Sequence, residues 1–142
     1  MPATEDQIRP IILTLRSILD ESDKSGWGVE WKTFPRGCCG TVAELTQYCV
    51  YRIAGMVPTI VRGTKLDASG LPVSHAWVEI DGVVVDLTRD QYHSQTNYIF
   101  LNDPFYGTWT QRREISPQHP APGELQAAYF DHVAGVVRAR LT

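Results

Sequence analysis

The stretch Ser74-His75-Ala76-Trp77-Val78-Glu79-Ile80-Asp81-Gly82-Val83-Val84-Val85-Asp86-Leu87-Thr88 decides the fold. Two β-rich runs flank Asp81-Gly82, and that setting predicts a tight hairpin, because a type I′ turn needs positive φ at both central positions. With Asp81 and Gly82 as the turn, Ile80 pairs with Val83 and the register of the whole ribbon follows. Alternation then puts Ala76, Val78, Ile80, Val83, Val85 and Leu87 on one face, all of them apolar. A slip of one residue would destroy that pattern, so this face belongs in the core. The other face carries His75, Trp77, Glu79, Val84, Asp86 and Thr88. Trp77 lies across from Asp86, which makes His75 and Asp86 diagonal neighbours roughly 7–8 Å apart, a gap that an imidazole and a carboxylate can close. Glu79 reads as a solvated face residue.

Upstream of the ribbon, Ser25-Gly26-Trp27-Gly28 through Phe34-Pro35-Arg36-Gly37-Cys38-Cys39-Gly40 is a loop by its glycines and proline. It leads into Thr41–Gly55, a predicted helix with Val42, Leu45, Cys49 and Ile53 along one face and Gly55 as its C-terminal cap. Cys49 is thereby a buried helix residue. Pro58–Lys65 reads as a strand and Leu66–Pro72 as a turn-rich loop. The chain opens with a packing helix from Thr4 to about Ser22, on which Ile8, Ile11, Ile12, Leu15, Ile18 and Leu19 recur at helical spacing. Thr4 and Gln7 fit a capping box, whereas Pro10 requires either a kink or a start nearer Arg9. Beyond the ribbon, Asn97–Asp103 is a candidate strand. Pro117, Pro120 and Pro122 then interrupt the chain before an amphipathic helix from roughly Gly123 to Arg140.

With 142 residues, 43% hydrophobic and 20% charged, the chain has the size and composition of one globular domain, residues 1–142. A net charge of −3 without a basic run argues against nucleic acid as a partner. No apolar stretch approaches a bilayer span, and no membrane partner is expected. The N-terminus Met1-Pro2-Ala3-Thr4-Glu5-Asp6 is acidic where a secretory signal would be basic, so a cytoplasmic location is expected, with export by another route left open. Three cysteines exclude a dense disulfide framework, and neighbours such as Cys38 and Cys39 rarely bridge each other. There is no CxxC pair and no histidine at zinc-finger spacing, so neither a metal nor an organic cofactor is implied.

Cys39 stands where a glycine-bearing loop meets a helix start. Unpaired N–H groups and the positive end of the helix dipole favour an anion there, lower a thiol's pKa and face a developing oxyanion. His75 is the candidate base, and Asp86 would fix its tautomer and stabilise the imidazolium. Trp77 would shield the pair from water. Cys38 is the competitor for Cys39 and would project about 100° away around the helix start.

These residues resemble the transglutaminase-like branch of the papain-like cysteine enzymes. Gly37-Cys38-Cys39 with Ala43, then His75-Ala76-Trp77-Val78-Glu79, then Asp86-Leu87-Thr88 carry the likeness, which covers about Phe34 to Gln91. The second Cys and the intervening Leu87 depart from the commonest pattern. The resemblance implies an α+β, papain-like/transglutaminase-like fold, with a Cys-bearing helix packed on a small antiparallel sheet. It also implies Cys39 as nucleophile, His75 as general base and acid, and Asp86 as orienting acid. For the substrate cleft it suggests Trp27 and Trp31 as lining, with Trp77 and Gln91 as further walls; the upstream Gln7 is a poor match to an oxyanion-hole glutamine. The His75–Glu79 strand also resembles the leader peptidases of lasso-peptide maturation.

The function expected is a cysteine hydrolase, a peptidase or amidase, with a peptide or protein substrate and an acyl-enzyme intermediate. Two alternatives stand beside it. One is a glutamine deamidase or transglutaminase-type effector or toxin, with an inhibitor or immunity protein as partner. The other is a catalytically silent binding module of the same fold.

Overall fold

The computed structural model describes residues 4–92, 97–114 and 125–142, the last segment with side chains from 128 onward. The element order is α1 (Thr4–Glu21), α2 (Cys39–Ala54), β1 (Thr59–Leu66), β2 (Pro72–Ile80), β3 (Val83–Val85), β4 (Ile99–Phe100), α3 (Pro104–Gly107), β5 (Thr110–Glu114) and α4 (Leu125–Arg140). Single 3₁₀ turns run from Val29 to Thr33 and from Arg89 to Gln91. The architecture is α+β, with a five-stranded antiparallel sheet in the order β4-β3-β2-β1-β5.

The hairpin forms as its sequence requires. Asp81 and Gly82 have φ of 49° and 79°, and Ile80 pairs with Val83, Glu79 with Val84 and Val78 with Val85. All six apolar residues of the inner face join the main core, where α2 lies on β2 and β1 and is flanked by α1 and α4. Burying a valine such as Val78, fully enclosed here, contributes about 2 kcal/mol. The opposite face is covered by a second cluster of Val61, Trp77, Phe100, Tyr106 and Trp109. The ribbon is therefore buried on both sides near its open end, and His75 and Asp86 lie inside it.

Several local expectations change. Helix α1 runs unbroken through Pro10, and Thr4 is already helical. The Thr4 hydroxyl donates to Asp81 Oδ2 at 2.9 Å, tying the helix to the hairpin turn rather than capping at Gln7. Helix α2 begins at Cys39, two residues before Thr41, with Cys38 as its N-cap, and Gly55 ends it in the left-handed region. Strand β4 keeps only two residues of Asn97–Asp103, because Asp103 accepts from the Phe105 N–H and Pro104 opens the short helix α3. Strand β5 pairs with the free edge of β1 although its sequence, Thr110-Gln111-Arg112-Arg113-Glu114, is polar throughout. The prolines at 117, 120 and 122 and the expected helix start at Gly123 lie outside the described residues.

No helix among the described residues is long and apolar enough to cross a membrane.

Candidate active site

Cys39 is the first residue of α2, where the N–H groups of the opening turn have no carbonyl of their own helix to bond. Its thiol is half-buried and hydrogen-bonds the His75 side chain and the backbone of Ala76. Burial pushes this thiol up, but the hydrogen bond and the charge of His75 outweigh it, and the Ala76 N–H adds to them. The net effect brings Cys39 below its ordinary value. Cys38 points into the core at 2% exposure, and burial, with the neighbouring Cys39 charge, pushes it up to about 12. Burial alone does the same to Cys49. Of the two adjacent thiols, Cys39 is the one joined to the imidazole.

His75 is the residue of β2 that faces Gly63 of β1, and its side chain is sealed from solvent. The rings of Trp77, Tyr92, Phe105 and Trp109 surround it at centroid distances of 5.1 to 6.1 Å. Glycine at position 63 makes this box possible, since a Cβ there would stand 2.8 Å from the Trp109 Cβ and 3.2 Å from the Trp77 ring. His75 Nε2 donates to Asp86 Oδ2 at 2.6 Å. Burial would lower the imidazole's pKa. Its hydrogen bonds with Asp86 and Cys39, and the charges of both, prevail and push it up to about 9. A raised imidazole beside a lowered thiol favours a thiolate–imidazolium pair.

Asp86 is 1% exposed and every side of its carboxylate is occupied. Oδ2 takes His75 and the Tyr106 hydroxyl, the latter at 2.8 Å. Oδ1 takes the Thr88 N–H at 3.1 Å and the Thr88 hydroxyl at 3.3 Å. Strand β3 has ended one residue earlier, so Asp86 opens a turn instead of continuing the ladder. The turn is held from below by Arg16, whose buried guanidinium donates to the Leu87 carbonyl and to both oxygens of Asp90. The following 3₁₀ turn brings Gln91 back over β2, where its side-chain amide lies 3.1 Å from His75 Nδ1 and 3.3 Å from the Thr88 hydroxyl.

The structure thus brings Cys39, His75 and Asp86 into one hydrogen-bonded line and adds Gln91 at the imidazole. The three tryptophans are placed otherwise. Trp31 is 2% exposed and donates from its indole to Tyr129 of α4. Trp27 stacks on the same tyrosine at 4.9 Å with an interplanar angle of 4°. The 3₁₀ turn at Val29–Thr33 folds both rings toward α4, and neither lines the space beside the thiol. Trp77, at 1% exposure, has no surface for a substrate and instead walls off His75 and Tyr106. The reachable surface is an open cleft of about 330 Å³, bordered by Cys39, Gly40, Arg62, Thr64, Ser74 and Arg112. Arg62 is held there by Glu44 and Glu114.

Sequence reasoning missed Tyr106, Arg16 and Gly63. Gly63 alone left a trace, since a glycine inside a strand marks a close approach.

No protein-family model, curated protein or solved structure matches this chain.

Proposed function

We propose that the protein is a cysteine hydrolase or acyl-transfer enzyme of the papain-like, transglutaminase-like kind, acting on an amide of a peptide or protein. One observation carries the reading: a thiol at a helix N-terminus, hydrogen-bonded to an imidazole that is itself backed by a buried, fully occupied carboxylate. A helix start with packing roles alone has no need of a buried ion pair aimed at its first side chain, and burying such groups without partners is costly.

In the proposed reaction the Cys39 thiolate attacks the amide carbon, and the N–H groups at the start of α2 receive the charge on the carbonyl oxygen. His75 gives its Nδ1 proton to the leaving nitrogen as the C–N bond breaks, leaving a thioester on Cys39. Water, or an amine, then loses a proton to His75 as it attacks the thioester, and the C–S bond breaks to restore the thiolate. Peptide cleavage, glutamine deamidation and crosslinking share the first half of this sequence and differ in which amide enters and which nucleophile leaves with the acyl group.

Labelling with a chloromethyl ketone amide mimic tests the proposal. We expect modification of wild type and of Cys49→Ala, and none of Cys39→Ala or His75→Ala. Equal modification of all the variants would defeat the assignment of Cys39 as the nucleophile. Mass spectrometry of candidate peptides, wild type against Cys39→Ala, then separates chain scission from conversion of a glutamine amide to its acid.

A further inference from the structure

Asp86 Oδ2 receives two hydrogen bonds, from His75 Nε2 at 2.6 Å and from the Tyr106 hydroxyl at 2.8 Å. Tyr106 comes from α3, more than a dozen residues along the chain, and is 4% exposed. Its ring is fixed edge-on against Trp77 at 4.9 Å and against Phe105 at 5.0 Å. Behind it, Arg89 hydrogen-bonds the phenol oxygen, forms an ion pair with Asp103 at 3.1 Å, and lies over the Phe105 ring at 3.8 Å. Burial and the Asp86 charge raise the phenol's pKa, so it remains a donor across the working pH range.

We propose that Tyr106, held by Arg89, is a positioning residue that shares Asp86 Oδ2 with His75 and thereby sets how firmly the carboxylate holds the imidazole Nε2–H. The proposal rests on reading Cys39 and His75 as nucleophile and base. An oxygen that accepts two charge-assisted hydrogen bonds divides its charge between them, and loss of one donor strengthens the other. During acyl transfer His75 gives up a proton and becomes neutral, which removes the cation beside a buried carboxylate. Tyr106, with Arg89 behind it, is the compensation that stays in place at that moment. Without the hydroxyl, Asp86 would hold His75 in its protonated form and oppose proton delivery to the leaving nitrogen.

The ionisable groups that face the imidazole are Cys39 from α2, Asp86 after β3 and Tyr92 after the 3₁₀ turn. Tyr106 and Arg89 stand behind Asp86, and Lys65 of β1 lies over the Trp109 ring at 4.2 Å. The experiment follows the His75 ring protons by NMR through a pH titration, in the full chain carrying Cys39→Ala. The signal is assigned by its loss in His75→Gln. Adding Tyr106→Phe, which keeps the ring and its packing, is expected to raise the His75 pKa by at least about half a pH unit. The shift should vanish when Asp86→Asn is also present. A fluorinated tyrosine at position 106 is a stronger donor, moves the value the other way, and keeps the test open should the phenylalanine variant fold poorly. An unmoved His75 titration in both variants, or an equal shift with Asp86→Asn, would overturn the proposal. Because Cys39 is absent throughout, the result stands apart from whether that thiol attacks an amide.

Discussion

Arg16 of the first helix grips both carboxylate oxygens of Asp90, at 2.9 and 2.8 Å, and donates at 2.6 Å to the carbonyl of Leu87. Leu87 is the residue after Asp86, so the clamp fixes the turn that presents the acid to His75. The guanidinium is nearly enclosed and lies between the rings of Phe34 and Tyr98, a setting that suits a flat ion better than an ammonium. Arg16→Met is expected to cost about 3 kcal/mol in urea denaturation, since it strands a partly buried carboxylate and a buried carbonyl. Cys39 alkylation in the fraction that stays folded should also slow. Arg16→Lys should recover part of the stability only. Native alkylation rates in a folded Arg16→Met protein would show that the turn needs no clamp.

Gly63 offers a sharper local test. An alanine methyl there must displace Trp109 or Trp77, the two indoles that flank His75. Gly63→Ala should destabilise the protein by about 1–3 kcal/mol, the usual range for an overpacked core. It should also perturb the His75 ring signals more than those of His132 on the distant α4. Unchanged His75 signals would mean that the aromatic box tolerates the extra group.

The three cysteines should separate cleanly. Cys38 and Cys49 are both buried and pushed up to about 12, whereas Cys39 is half-buried and lowered. Brief iodoacetamide treatment near neutral pH is expected to add one group, at Cys39, with Cys38 and Cys49 modified only after denaturation. Peptide mapping that finds Cys38 alkylated first would reverse the assignment of the nucleophile.

The ribbon and the pairing of His75 with Asp86 were legible because their information is local, whereas Cys39 was marked by its place at a helix start and by the family resemblance. A turn that demands positive φ sets the register, and alternation does the rest, down to which residue of β2 faces the acid. The geometry that completes the site is long-range. Tyr106 reaches Asp86 from a four-residue helix, and Arg16 reaches Leu87 from the far end of the chain. Neither carries a pattern that distinguishes it from an ordinary core tyrosine or a helix-surface arginine. Strand β5 was hidden for a related reason: an edge strand on a half-solvated surface needs no apolar alternation, so its residues read as loop. Trp27 and Trp31 were misplaced because a tryptophan beside glycines reads equally as a cleft wall or as packing, and the choice fell to Tyr129 of α4.

The pH dependence follows from the thiol and imidazole together. Cys39 ionises below its ordinary value and His75 holds its proton up to about 9, so the ion pair spans the interval between them. Turnover on an amide should rise as Cys39 ionises and fall as pH passes about 9, where His75 can no longer protonate the leaving nitrogen. Stability carries the same signature. The folded-state value of about 9 lies above the ordinary 6.5, so His75 contributes stability that is fully present below 6.5 and lost as pH climbs through 9. The lowered Cys39 works in the opposite sense, contributing above its ordinary value and losing that contribution as pH falls. Removing the thiol isolates the imidazole, which keeps its hydrogen bond to Asp86. The stability of Cys39→Ala over the double variant Cys39→Ala/His75→Ala should therefore be largest near about pH 6 and shrink steadily as the solution is made alkaline, when both are followed by urea denaturation. A difference that stays constant over that range would mean that folding leaves the His75 pKa at its ordinary value and that its bond to Asp86 does not draw a proton onto the ring.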